Sequence, residues 1–185
     1  MTIDMDESVP YLYDKPAFTK SIDNEFWVIL LEKAWAKLYT SYKRIEAGYP
    51  EEALHDLTGA PIKQIYMKHE SFDKEGDWNY LVMASRREYS MVASSLPGSD
   101  TNKSMSGVVQ GHAYTFLNAT PLNAGGQQER IVQLRNPWGK GEFTGKWSDH
   151  DENWNYVDES EKQRIGFNPN KNDGIFFMTY DDFIA

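Results

Sequence analysis

Two residues of this 185-residue sequence could form a catalytic pair, His112 as a base and Asn136 as the residue that orients it. Three of the four histidines, His55, His69 and His150, lie in charged segments, which favours a solvated surface position. His112 instead follows a glycine and opens the apolar run GHAYTFLNA, so it is a candidate general base at a strand edge. A core histidine with satisfied hydrogen bonds is the alternative interpretation.

Asn136 belongs to the segment RNPWG, which follows the next predicted strand. The spacing from His112 to Asn136 suits two strands of about ten residues and a short turn, and matched strands would place both residues at one edge of the sheet. There an amide oxygen could accept a hydrogen bond from one ring nitrogen and leave the other nitrogen facing a thiol. A turn that simply follows a strand is the alternative for Asn136 and Pro137.

Helices are predicted in the first half of the chain, after an extended lead-in over residues 1–23 with room for one short strand. A long helix is predicted from Asn24 to Ala47, packed against a sheet, because apolar residues recur at steps of three and four. These residues are Trp27, Leu31, Trp35, Leu38, Tyr42 and Ile45. Shorter helices are predicted over Pro50–Leu57 and Trp78–Glu88.

Strand-like runs dominate the second half of the chain, and the order of helices followed by antiparallel strands predicts an α+β fold in a single domain. An exposed loop is predicted over Leu96–Gly107, and a hairpin connection over Asn123–Gly126. The segment Asn136–Asp173 is rich in Trp, Asp, Asn and Gly and is predicted to be functional. The predicted strands are Ile62–Lys68, Tyr89–Ser95, Val108–Leu122, Glu129–Arg135 and Gly174–Thr179.

Composition excludes several classes of protein. The formal net charge is −9, which disfavours binding to nucleic-acid phosphates. The longest apolar stretch, Phe26–Leu31, is far shorter than the ~20 residues of a transmembrane helix, and the acidic N-terminus does not resemble a secretion signal. The sequence has no cysteine, which excludes disulfides and a thiol nucleophile within it. We therefore expect a cytoplasmic, intracellular protein.

Several motifs, in this order and spacing, resemble the calpain family of cysteine proteases. They cover most of the chain, and GHAY, RNPWG and TGKWSD together are highly specific. The motifs are FWVILLEKAWAKLYTSY (Phe26–Tyr42), HDLTGAP (His55–Pro61), QGHAY (Gln110–Tyr114), LRNPWG (Leu134–Gly139), FTGKWSDHDENWN (Phe143–Asn155) and DGIFFMTYDDF (Asp173–Phe183).

The resemblance implies the second half of a papain-like protease core, an antiparallel sheet or barrel packed against a long N-terminal helix. It implies that His112 is the general base and Asn136 its orienting partner. Gly111 would lie where the substrate backbone passes, and Trp138 beside the cleft, which it can obstruct until calcium moves the two halves. The nucleophilic cysteine belongs to the other half, so the implied partners are that half and protein substrates, and the chain alone should not hydrolyse peptides.

The resemblance also implies a calcium site in this half of the core. Glu142, Asp149 and Asp173 fall at matching positions, with the Lys171 carbonyl as a further candidate ligand. Several oxygen ligands on loops suit Ca²⁺ better than Mg²⁺. A solvated acidic loop is the alternative interpretation.

Two other functions compete with a calcium-dependent endopeptidase. The first is a non-catalytic module, either a pseudoprotease or a regulatory fragment, because the nucleophile is missing and the sequence begins with Met1. The second is a carbohydrate-binding module, which rests only on the six tryptophans.

Overall fold

The alternation of apolar residues along the second half of the chain produces an antiparallel sheet. The computed structural model describes residues 2–20, 25–171 and 173–185. Its strands are β1 (Tyr11–Leu12), β2 (Lys15–Pro16), β3 (Met91–Ser94), β4 (Ala113–Ala124), β5 (Gln127–Arg135) and β6 (Ile175–Thr179). Its α-helices are α1 (Trp27–Leu38), α2 (Pro50–Thr58), α3 (Lys74–Arg86), α4 (Glu159–Arg164) and α5 (Tyr180–Ile184).

Two compact units divide the chain, residues 1–52 and residues 53–185. The first unit contains the β1–β2 hairpin, α1 and a 3₁₀ turn over Tyr42–Ile45. Lys33 on α1 holds the N-terminal segment, because its ammonium donates hydrogen bonds to the backbone carbonyl of Asp6 at 2.9 Å and that of Ser8 at 2.5 Å. The single-domain organisation stays a prediction.

The long N-terminal helix is shorter than its apolar spacing predicts. Helix α1 ends at Leu38, and Thr40 follows with a φ of 75°, a left-handed conformation that cannot continue a right-handed helix. Tyr42 and Ile45 keep the spacing but lie in the separate 3₁₀ turn. The predicted start at Asn24 lies outside the described residues.

The second unit is built on a four-stranded antiparallel sheet in the order β3-β4-β5-β6. Strands β4 and β5 form the predicted hairpin, turned by Gly125 and Gly126, whose positive φ values suit a tight two-residue connection. The sheet stays open among the described residues, so the barrel alternative is wrong, and the predicted strand Ile62–Lys68 is irregular chain. The α+β class is confirmed.

Both faces of the sheet are covered, because successive residues of each strand point to opposite sides. Helix α3 packs on one face through Trp78 and Leu81. Packing of the N-terminal helix against the sheet stays a prediction. The other face packs against the segment after β5, through Trp147 and Trp154. The hydrophobic cores of this unit therefore fix the position of the hairpin ends. No helix of the described residues is long and apolar enough to cross a membrane.

Candidate active site

The β4–β5 hairpin brings His112 and Asn136 together at one edge of the sheet. His112 immediately precedes β4 and Asn136 immediately follows β5. The antiparallel register pairs Thr115 with Arg135, so the start of one strand lies beside the end of the other. His112 Nε2 lies 3.0 Å from Asn136 Oδ1. The predicted proximity of these two residues is therefore confirmed, whereas their roles stay predictions.

Asn136 is completely buried, and every polar atom of its amide has a partner. Its Oδ1 also accepts a hydrogen bond from the backbone N–H of Trp138 at 3.1 Å. Its Nδ2 donates to the carbonyl of Gly141 at 3.1 Å, and its backbone N–H donates to the carbonyl of Gly174 at 2.8 Å. The loop after β5 and the start of β6 therefore hold this side chain in one orientation.

These contacts determine the tautomer of His112. A backbone N–H can only donate, so the bond from Trp138 requires the oxygen of the Asn136 amide at that position. Because this oxygen is also the atom next to His112 Nε2, the ring must donate from Nε2. In the neutral ring Nδ1 then carries the lone pair, and it makes no hydrogen bond within the described chain. A free, basic nitrogen is what a general base needs.

Two aromatic rings flank the imidazole. Trp138 lies with its ring centroid 4.4 Å from that of His112, and 47% of its surface is exposed. The ring of Tyr114 lies edge-on to that of His112, with the ring centroids 4.9 Å apart. Its hydroxyl accepts a hydrogen bond from the backbone N–H of Val109 at 2.8 Å, and burial raises its pKa, so the phenol stays neutral. The imidazole is thus restrained from two sides.

Gly111 occupies a backbone position that only glycine fits. Its φ is 55°, and a β-carbon placed on it would lie 2.3 Å from the carbonyl oxygen of Gly98. The backbone that approaches Gly111 therefore belongs to the loop over residues 96–107 of this same chain. Passage of a substrate past Gly111 stays a prediction.

Sequence reasoning did not single out Tyr114 or Ser95 as contacts of His112. Ser95 follows β3 and hydrogen-bonds the backbone of His112. A pairing of the predicted strand Tyr89–Ser95 with the strand after His112 would have identified Ser95. The order of strands across the sheet is a long-range property, however, and the apolar pattern does not specify it.

The predicted calcium ligands gather in the loops beyond β5 and before β6. Glu142, Asp149 and Lys171 line one cavity of about 450 Å³, and Glu142 Oε1 accepts the N–H of Gly174 at 3.1 Å. Asp173 Oδ1 accepts the N–H of Ile175 at 3.0 Å. Among the described residues no three acidic, histidine or cysteine side chains converge closely enough to hold a metal ion.

The charge on Asp149 nevertheless depends on its acidic neighbours. The pKa of Asp149 is raised to about 6, mainly by burial and then by the negative charges of Glu142 and Asp173, while His150 opposes the rise. Carboxylate oxygens are the ligands that Ca²⁺ prefers, and a divalent cation would offset the repulsion that Glu142 and Asp173 exert on Asp149. The residue types suit calcium, but their spacing among the described residues does not form a metal site, so calcium binding stays a prediction.

Comparison with known proteins places the chain in a family. The family model described as calpain family cysteine protease matches residues 1–185. The chain belongs to the calpain family. It is 38% identical over 175 residues to the calpain-type cysteine protease ADL1 of Oryza sativa subsp. japonica, covering 91% of this chain. It is 33% identical over 184 residues to calpain-9 of Mus musculus, covering 97% of this chain.

These calpain relatives are much longer than the chain, which spans 8% of the rice protein and 26% of the mouse protein. Membership of the calpain family therefore shows that the chain is a segment of a cysteine-peptidase family protein.

Proposed function

We propose that this chain is the histidine- and asparagine-bearing half of the protease core of a calcium-dependent calpain-like endopeptidase. In fold it would be the second subdomain of a papain-like core, with the cysteine supplied by a half that lies outside these 185 residues. The observation that carries the proposal is the bond from His112 to the buried amide of Asn136, whose orientation Trp138 fixes.

The mechanism assigns one proton to each step. Nδ1 of His112 takes the proton of the cysteine thiol, and the thiolate attacks the peptide carbonyl to give a tetrahedral intermediate, which becomes a thioester when the C–N bond breaks. The imidazolium then returns that proton to the leaving amine. A water molecule, deprotonated by the same nitrogen, hydrolyses the thioester and restores the thiol. Asn136 accepts from Nε2 throughout, so it stabilises the imidazolium and keeps Nδ1 facing the thiol.

Calcium would be held by the carboxylates of Glu142, Asp149 and Asp173 with the carbonyl of Lys171. When bound, the ion would supply positive charge that cancels the repulsion within this cluster. Glu142 also accepts the N–H of Gly174, whose own carbonyl accepts the N–H of Asn136. The acidic cluster thus lies one hydrogen-bonded residue from the backbone of the candidate catalytic asparagine.

A non-catalytic interaction module is the second candidate, and the absence of cysteine from the sequence favours it. In such a module the exposed edge of Trp138 beside His112 would bind a partner without hydrolysis. A carbohydrate-binding module gains no support, since Trp78, Trp147 and Trp154 are buried in the cores and unavailable for stacking on sugars.

Reconstitution decides between the two candidates. The chain is combined with its cysteine-bearing half in calcium, and hydrolysis of a fluorogenic peptide is measured. We expect His112→Ala to lower kcat at least about 1,000-fold, as loss of a general base does in catalytic triads, and the exposed control His55→Ala to change it less than twofold. Equal activity of His112→Ala and the control would refute the protease proposal, as would hydrolysis by the chain alone.

A further inference from the structure

Ser95 holds the backbone of His112 through both its main chain and its side chain. The backbone N–H of Ser95 donates to the carbonyl of His112 at 3.0 Å. Its hydroxyl accepts the N–H of His112 at 3.0 Å and lies 3.2 Å from the same carbonyl, as donor. Both polar groups of the His112 main chain are therefore satisfied by this one residue.

The hydroxyl replaces a bond that the sheet cannot make at this point. The regular pairing of β3 with β4 ends at Ser94 and Ala113, one step before His112. Gly111, the residue before His112, has a left-handed backbone conformation, and its N–H donates a hydrogen bond to the carbonyl of Leu96 at 2.8 Å. The N–H of His112 therefore donates its hydrogen bond to the side chain of Ser95 and not to a strand carbonyl.

The direction of the imidazole follows from this anchor. The hydrogen bonds of Ser95 go to the His112 main chain, whereas the ring is bounded by Asn136, Trp138 and Tyr114. A rotation of the His112 backbone would move the ring relative to all three of these neighbours, because the side chain leaves the main chain by a single bond. The site thus needs the His112 backbone fixed as firmly as the Asn136 amide.

We infer that Ser95 is a positioning residue of the candidate active site, which sets the direction of the His112 imidazole through the His112 main chain. This inference rests on the proposed role of His112 as general base. It assigns no contact with substrate to Ser95. It predicts that removal of one hydroxyl, which bonds only the His112 main chain, alters the ring's hydrogen bond and the rate of the chemical step.

The neighbouring residue offers a matched control. Ser94 is exposed, and its hydroxyl makes no hydrogen bond within the described part of the chain. Ser95→Ala and Ser94→Ala remove the same atom from adjacent positions. Ser95→Thr and Ser95→Val form a second pair of nearly equal volume, of which only threonine retains the hydroxyl. This second pair keeps the test valid if alanine at position 95 weakens the fold.

The first measurement needs no cysteine. The Nε2-bound proton of His112 is followed by NMR in the chain itself, and its exchange with water reports the bond to Asn136. We expect Ser95→Ala and Ser95→Val to accelerate this exchange about tenfold, as loss of a hydrogen bond to a partly buried group allows. Ser94→Ala and Ser95→Thr should match the unmodified chain.

The second measurement uses the reconstituted protease. We expect Ser95→Ala to lower kcat about tenfold with KM changed less than twofold, since misplacement of the base slows chemistry more than it weakens binding. Ser95→Thr should restore kcat. A His112 signal or a kcat in Ser95→Ala equal to that of Ser94→Ala would overturn the inference. Failure of the proposed function itself is recognised separately, by full activity of His112→Ala.

Discussion

At the scale of single residues, the site depends on one amide whose partners are all accounted for. Asn136 accepts from a ring and from a backbone N–H with the same oxygen, so the orientation of the amide and the tautomer of His112 are determined together. Burial makes this arrangement costly to disturb, because an unpaired buried donor loses its hydrogen bond to water as well as to protein. In the acidic cluster, by contrast, the negative charges of Glu142 and Asp173 repel the negative charge of Asp149.

Asp149→Asn should stabilise the calcium-free chain at neutral pH. The pKa of Asp149 in the folded chain, about 6, lies above its ordinary value of 3.8, so the folded state binds the proton more tightly. The stability from this proton is fully present below pH 4 and is lost as pH rises through 6. At pH 7 asparagine removes the repulsion, and we expect a gain of about 1 kcal/mol after allowance for screening by solvent.

Urea unfolding in a calcium chelator at pH 4 and pH 7 measures this effect. The two chains should differ at pH 7 and agree at pH 4, and Asp158→Asn, outside the cluster, serves as the control. If the three carboxylates bind calcium, added calcium should make the unmodified chain more stable than Asp149→Asn at pH 7. Equal stability of the asparagine variant and the unmodified chain at pH 7 would contradict the prediction.

At the scale of elements, the β4–β5 hairpin sets the spacing of the candidate pair and the loop over residues 96–107 closes against it. The contact between Gly98 and Gly111 joins this loop to the start of β4, backbone against backbone. Neither residue has a side chain that could be removed to relieve a clash. The packing of the loop should therefore be sensitive to a single added carbon atom.

Gly111→Ala and Gly126→Ala separate this clash from backbone strain. Both glycines have positive φ, 55° and 85°, so alanine is strained at each by about 1 kcal/mol. At Gly126 an added β-carbon meets nothing within 4 Å, whereas at Gly111 it meets the Gly98 carbonyl at 2.3 Å. We expect Gly111→Ala to lower the free energy of unfolding by about 3 kcal/mol in urea titration. Equal losses in the two variants would disprove the close packing.

The sequence predicted the elements better than their limits and partners. The alternation of apolar residues located β4, β5 and β6 to within a few residues. The matched lengths of two strands predicted that His112 lies near Asn136. The helix break at Thr40 escaped prediction because the apolar spacing continues across it. The packing of α3 on the sheet was not predicted, because the spacing of apolar residues shows which face is apolar but not which element packs against it.

At the scale of the whole molecule, nearly all of the buried hydrophobic surface belongs to the second unit. Both core clusters draw their residues from position 65 onward. In the described part of the first unit, only Ile29 and Ala36 are buried hydrophobic residues. A unit with so little core has little to offset the entropy of ordering its chain.

A shorter chain beginning at Pro50, which keeps α2 whole, should therefore fold without the first unit. We expect residues 50–185 to unfold cooperatively on heating, followed by circular dichroism, and to retain the His112 proton signal that reports the bond to Asn136. The complementary piece, residues 1–49, should give the spectrum of a largely unfolded peptide. A broad, non-cooperative transition in residues 50–185 would show that the second unit depends on the first.

The two-residue turn of the β4–β5 hairpin also bears on the order of folding. Gly125 and Gly126 close a hairpin that joins His112 and Asn136 through 24 positions of sequence, a shorter span than separates the paired residues Arg135 and Ile175 of β5 and β6. Contacts between nearby segments form sooner than contacts between distant ones, because closing a short loop costs less entropy. The His112 imidazole and the Asn136 amide should therefore come together early during folding, when the β4–β5 hairpin forms.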